Sequence, residues 1–276
     1  MANFHVLEGG EKTVARPVVR QIEIADVFDA LRRGFDDFWE KPSHYVFLCL
    51  IYPVMGLILI TWSSGGNALQ LIYPLMSGFA LLGPLAAIGL YEISRRRELG
   101  LDTSWLHALE VRNSPAIPAI IAVGLLLLGL FIAWIFTAQA LYQWLYGSAE
   151  PASITAFIYD VLTTGRGWAL IILGNFLGLL FALVVLSTTV VAFPLLLDRD
   201  VGAYAAIQTS AEVMLANPVP TMLWGLIVAA GLLIGSLPLL VGLAIVIPVL
   251  GHATWHLYRK AVVPPVADAE KRVAPR

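Results

Sequence analysis

The sequence predicts an all-α membrane protein. Six transmembrane helices form three helical hairpins, each preceded by a cytoplasmic amphipathic helix, and both termini are cytoplasmic. Three observations predict this. Of 276 residues, 59% are hydrophobic and 13% charged, with a mean hydropathy of +0.81, whereas soluble domains run at about 45–50% apolar and about 25% charged. The charges are shut out of four long blocks. The basic residues that remain fall almost wholly on one side of those blocks. An ordinary soluble enzyme, a disordered chain and a nucleic-acid-binding module are thereby excluded.

The blocks free of Asp, Glu, Lys and Arg are 42–91, 113–149, 167–197 and 213–258. A spanning helix needs about 20 apolar residues, because each adds about 1.5 Å across about 30 Å of hydrocarbon. The first and last blocks each hold two spans and a turn, and the middle two hold one each. Ser63-Ser64-Gly65-Gly66-Asn67 breaks the first block and Gly235-Ser236-Leu237-Pro238 the last. The predicted spans are 44–62, 70–92, 118–144, 168–194, 220–237 and 239–258. The N-terminus has mixed charge and no apolar core, so it does not read as a secretory signal. Cys49 has no second cysteine to pair with.

Lys and Arg set orientation. Six precede the first span, four follow the second (Arg95, Arg96, Arg97, Arg112), Arg199 follows the fourth and five lie in the tail. Only Arg166 lies on the opposite side. That bias places both ends in the cytoplasm. Aromatic residues form the expected interfacial belts: Trp39, Tyr45, Tyr91, Trp105, Trp255 and Tyr258 on one side, and Trp62, Tyr73, Tyr142, Trp144, Tyr146 and Trp168 on the other.

A weak threefold repeat organises the chain. Segments 26–42, 102–115 and 200–218 each begin with Asp, contain Ala followed by Leu or Ile, and close on a proline. The units are 23–100, 101–199 and 200–260 within a membrane domain of 23–260, between a flexible segment 1–22 and a flexible tail 261–276. In the first segment, Ile24, Val27, Phe28, Leu31, Phe35 and Phe38 share one helical face, and Asp26 or a neighbour caps its start. In the third, Val201, Tyr204, Ile207, Ala211 and Met214 do the same more weakly. Such helices lie in the interface or pack under the bundle. The even spans each carry a proline, Pro84, Pro194 and Pro248, which bends a helix. Gly174-x-x-x-Gly178 and Gly231-x-x-x-Gly235 mark close helix packing within the chain. Segment 153–162 reads as a short interfacial helix bearing Asp160.

Polar residues inside spans are the candidates for function. His252 and His256 are four apart and share a face. His44 opens the first span and Glu92 closes the second on the same side, with Cys49 one turn deeper. These form a candidate polar cluster for a metal, haem or proton site. An i, i+4 histidine pair lacks the third and fourth ligands a metal site needs, so hydrogen bonding to neighbours is the favoured reading and no cofactor is expected. Gln139 and Asn175 read as interhelical hydrogen-bond partners. Asp198-Arg199-Asp200 reads as a cap for the following helix. Motifs for phosphate loops, zinc proteases, c-type haem and serine hydrolases are absent from the sequence.

The strings DVFDALRRGFDDFWEKPSHYVFL, GPLAAIGLYEISRRRELG and FPLLLDRDVGAYAAIQTS resemble a bacterial six-span integral membrane family of unknown function, domain-of-unknown-function family 2189. The resemblance covers most of residues 20–260 and implies a bacterial inner-membrane protein without bringing an activity. Together these readings lead to a non-enzymatic accessory, assembly or scaffold protein, with the lipid bilayer and other membrane proteins as partners and nucleic acid not among them. A transporter or channel for a small solute or lipid is the alternative, followed by a haem- or metal-binding redox protein.

Overall fold

Proline placement and side-chain size decide where the helices of this computed structural model start, break and touch. It describes residues 17–40, 69–104, 111–112, 114–148, 151–238 and 240–264. The helices are α1 (Ile24–Glu40), α2 (Ile72–Leu81), α3 (Gly83–Ala86), α4 (Ile88–Glu98), α5 (Ile117–Tyr146), α6 (Ile154–Thr163), α7 (Gly165–Thr189), α8 (Ala192–Asp198), α9 (Gly202–Ala216), α10 (Pro218–Ser236) and α11 (Leu243–Ala261). Among the described residues the only β pairing is a bridge between Val19 and Val262. The predicted span 44–62, with His44 and Cys49, lies outside the described residues, as do Trp105 and most of segment 102–115.

Among the described residues three helical stretches are long and apolar enough to cross a membrane: Ile117–Tyr146, Gly165–Asp198 and Pro218–Ser236. Their outward faces are apolar. On α5, Ile121, Leu125, Leu128, Ile132 and Phe136 form one exposed stripe, and on α7, Ile172, Phe176, Leu179 and Leu180 form another. In water such stripes would cost about 25 cal/mol for each Å² exposed; against lipid tails they cost nothing.

The predicted span 70–92 is not one helix. It is broken at Leu82 and Ala87 into α2, α3 and α4, and α4 runs on to Glu98. Pro84 has no N–H to offer and crowds the preceding turn, so the chain tightens: Leu82 N–H donates to Phe79 O at 3.1 Å. Pro194 acts similarly. The predicted span 168–194 ends as α7 at Thr189, and after Val190 and Val191 the chain resumes as α8. The freed Val191 N–H is 3.4 Å from Ser210 Oγ, which accepts it. Pro248 is the exception, tolerated inside α11.

Helix α1 lies antiparallel along the C-terminal half of α11: Gly34 meets Ala253, and Lys260 reaches Asp26 and Asp29. Small residues set this contact. The buried positions of α1 are Val27, Ala30, Gly34, Asp37 and Phe38. That corrects the predicted face, because Ile24, Phe28 and Phe35 are exposed, together with Trp39. Two backbones approach most closely where side chains are smallest, so the buried stripe follows Ala30 and Gly34 rather than the bulkiest residues. The face of α9 is also shifted: Ala203, Ala206, Ser210 and Val213 are buried, while Tyr204 is exposed.

Within the predicted flexible segments, residues 17–22 and 261–263 are hydrogen-bonded. Arg20 N–H donates to Ala261 O, Val263 N–H to Val18 O, and Ile22 N–H to Asn217 Oδ1 at 2.7 Å. Residues 17–22 and 261–263 therefore meet at one place. Asp26, at the third helical position of α1, accepts from Glu23 N–H at 2.9 Å; this is the returning half of a capping box, and Lys260 holds the same carboxylate. The expected cap at Asp198-Arg199-Asp200 does not form: α9 has no side-chain cap, and Asp198 bonds to α11 instead. The expected helix at 153–162 is α6, capped by Ser153.

The belts hold only in part. Trp144, Trp168, Tyr73 and Trp39 are exposed, but Trp255, Tyr258, Tyr91 and Tyr142 are core residues. Trp255 and Tyr258 can be buried because each polar tip has a carboxylate partner, Glu98 and Asp198. Both glycine pairs pack within the chain: Gly178 against Trp134, Gly174 against Leu141, and Gly231 and Gly235 against Val246.

A Cβ at Gly34 would lie 2.5 Å from Ala253 N and 2.6 Å from Ala253 Cβ. Gly34→Ala should therefore force α1 off α11 and destabilise by about 1–3 kcal/mol, despite alanine's better helix propensity. Gly129→Ala, with nothing near its added Cβ, should cost nothing. Thermal unfolding of the two variants in detergent compares them directly.

Candidate functional site

Helix α4 ends in Glu92-Ile93-Ser94-Arg95-Arg96-Arg97-Glu98, and this charged turn is wedged between α1 and α11. Ser94 and Arg97, three apart, share a face directed at Asp37 of α1. His252 and His256, four apart on α11, reach the same place. Ser94 Oγ lies 2.6 Å from Asp37 Oδ2 and 2.8 Å from His252 Nδ1. His256 Nε2 lies 2.9 Å from Asp37 Oδ2. Arg97 pairs with Asp37 Oδ1 at 2.6 Å and with Glu40 at 2.5 Å.

Proton counting fixes the direction of these bonds. A serine hydroxyl has one proton, and the shorter contact gives it to the Asp37 carboxylate. The Ser94–His252 contact then requires His252 to donate from Nδ1. The chain reads His252 Nδ1–H to Ser94 Oγ–H to Asp37, with His256 Nε2–H donating to the same carboxylate oxygen. A nucleophilic serine needs the opposite arrangement, in which the imidazole takes the hydroxyl proton. Ser94, Asp37 and His252 are also all buried, which leaves no approach for a substrate. Among the described residues no three His, Cys, Asp or Glu side chains are grouped to hold a metal ion.

Burial alone would push the Asp37 carboxyl up, but hydrogen bonds from His256 and Ser94 and the histidine charges outweigh it and hold it below the ordinary range. Glu92, two residues before Ser94, faces away from this chain of bonds and is held by Arg95 at 2.7 and 2.9 Å. Of the predicted cluster, His252 and His256 are thus joined through Ser94 and Asp37, Glu92 belongs to an adjoining ion pair, and His44 lies outside the described residues.

Two further clusters finish the same end of the molecule. Glu98 accepts from Trp255 Nε1 and Arg259, while Asp198 accepts from Tyr258 and Arg259 and Arg199 donates to Val263 O. Lys260 bridges Asp26 and Asp29, and its hydrogen bond holds Asp29 well below the usual carboxylate range. Asp37, Ser94, Arg97 and Glu98 were not singled out in the sequence. The signal for them was the run of charge continuing past Glu92 without a turn residue, which allows α4 to extend beyond the span.

At the far end lies a cavity of about 310 Å³ among α2, α5, α6 and α7. Buried Trp134, Ala138, Leu141 and Tyr142 form its floor, and exposed Tyr73 and Asn175 stand at its rim. The predicted interhelical roles of Gln139 and Asn175 appear here: Gln70 Nε2 is 3.4 Å from Gln139 Oε1, and Tyr73 donates to Asn175 Oδ1 at 2.8 Å. Nearby, Arg166 pairs with Asp160 at 2.8 Å and sits 4.6 Å over the Tyr146 ring.

Asp37 anchors three elements, so Asp37→Ala should cost about 3–5 kcal/mol by stranding Arg97, Ser94 and His256. Its folded carboxyl is the stronger acid, so the ionised form favours folding. That contribution is complete above the unfolded value and is lost as pH falls through the folded one. Thermal stability should therefore decline on acidification below the ordinary carboxylate range, with a smaller slope in Asp37→Asn. Melting curves of both proteins from neutral pH to about pH 3 measure the difference.

Comparison with known proteins adds a family and nothing closer. No curated protein matches the chain, and no solved structure does. Residues 72–198, which run from the start of α2 to the end of α8, match the family described as "Predicted integral membrane protein (DUF2189)", and that stretch of the chain is that of an integral membrane protein.

Proposed function

We propose that the protein is a non-enzymatic accessory or scaffold protein of a bacterial cytoplasmic membrane, crossing it six times with both ends in the cytoplasm. Sixteen of the seventeen Lys and Arg residues on one side support that orientation, as does the pairing of residues 17–20 with 261–263. One observation carries the accessory reading. The polar cluster of α1, α4 and α11 is buried, with its serine proton committed to a carboxylate, while α1 turns most of its large apolar residues outward. Ile24, Phe28, Phe35 and Trp39 are exposed, and the Phe35 and Trp39 rings stack at 5.7 Å. A helix fixed on one side and apolar on the other is built to hold something against the membrane. The expected partner is another membrane protein.

A second reading, a transporter or channel for a small solute or lipid, is supported by the cavity at the Tyr146 end. Its lining runs from Trp134 outward and includes no residue of the Asp37 end.

Purification in mild detergent tests the accessory reading. The wild-type protein should bring down a reproducible membrane partner, and Phe28→Ser with Phe35→Ser should lose most of it while folding normally. A bare protein in both preparations would overturn the proposal.

A further inference from the structure

We propose that the cavity among α2, α5, α6 and α7 is a binding site for a neutral alcohol of about a dozen heavy atoms. The inference deepens the second reading by naming what the cavity holds, and requires retention only, not passage.

Size comes first. A dry cavity of about 150 Å³ accepts benzene, so about 310 Å³ admits roughly twice that many atoms. Charge comes second. The lining includes Gln70, Tyr73, Trp134, Leu141 and Asn175 and no Asp, Glu, Lys, Arg or His. The nearby Asp160 and Arg166 are paired with each other. An ion would enter without a counter-charge and at heavy desolvation cost, so the ligand is neutral.

The polar groups supply the third step. Tyr73 gives its proton to Asn175, whose amide donates to Ile171 O, and Trp134 gives its N–H to Pro74 O. The single donors of Tyr73 and Trp134 are thus spent. Gln70 Oε1 is buried and has no hydrogen-bond partner, and a buried acceptor left open costs about 1–3 kcal/mol. The site therefore calls for a ligand donor, which a hydroxyl supplies and an acyl chain does not. Gly174 keeps the wall open: a Cβ there would meet only Leu141 at 3.7 Å, and a longer side chain would enter the cavity.

The test uses the full chain in lipid nanodiscs and a decan-1-ol carrying a mid-chain diazirine. After irradiation, adducts should map to 134–142 of α5 and 170–177 of α7. Unlabelled decan-1-ol should reduce them roughly fivefold or more, and decane should not. Gly174→Leu should reduce them by a similar factor. Gln70→Leu, close in volume, should keep the labelling but erase the preference for alcohol over alkane, which keeps the proposal testable if Gly174→Leu fails to fold. Adducts spread along the lipid-facing stripe from Ile121 to Phe136, equal competition by decane, or an unchanged preference in Gln70→Leu would each overturn it. Solute flux into vesicles bearing the same protein is scored separately, so failure of transport and failure of binding are distinguishable.

Discussion

The contact between Gly34 and Ala253 is the constraint on which the charged end of the molecule depends. Asp37 lies one turn beyond Gly34 on α1, and His252 and His256 flank Ala253 on α11. Only when the two backbones come within reach of a Cβ can Asp37 touch His256 directly and His252 through Ser94. A larger residue at position 34 would hold the helices apart, leaving buried polar groups without partners. A buried charge is tolerated here because both carboxylate oxygens are hydrogen-bonded. Asp37 alone takes up a guanidinium, a hydroxyl and an imidazole.

That contact matters more in this protein than it would in water. Helices surrounded by lipid gain little from burying apolar surface, since lipid tails are as apolar as leucine. Close packing and polar pairing must then decide which helix sits where. The chain uses both at places that differ along its length. Glycines bring α10 and α11 together, with a Cβ at Gly242 only 2.7 Å from Gly235 O. Beyond Gly251, charge takes over, and α11 is pinned successively by α1, α4 and α8 through His256, Arg259 and Lys260.

This division explains what could be read from the sequence. Length and charge exclusion located α5, α7 and α10 to within a few residues, because hydrocarbon thickness imposes a length that soluble folds lack. The i, i+4 spacing also put His252 and His256 on one face. Helix faces were harder to read. Ranking residues by hydrophobicity chose Phe28 and Phe35 for the buried side of α1, yet in a membrane protein close approach favours the smallest residues, and Ala30 and Gly34 were buried instead. The prolines were visible, but their effects depend on tertiary partners: Val191 finds Ser210 and the helix breaks, whereas Pro248 stays within a continuous α11. Asp37 and Ser94 come together across 57 positions, a separation over which periodicity carries no information.

The two ends of the molecule therefore solve opposite problems. At the Asp37 end, charges are brought inside and matched donor to acceptor. At the Tyr146 end, an exposed ion pair, Asp160 with Arg166, is kept to the corner between α6 and α7, and the space beside it is lined by apolar side chains and amides. There, Trp134 spends its donor on Pro74 O and Tyr73 its own on Asn175, while the buried Gln70 Oε1 has no partner. A fold that pairs its buried charges at one end, and leaves an acceptor open in a neutral cavity at the other, separates rigid attachment from binding. The first asks for paired charge, and the second for a single pairing left undone.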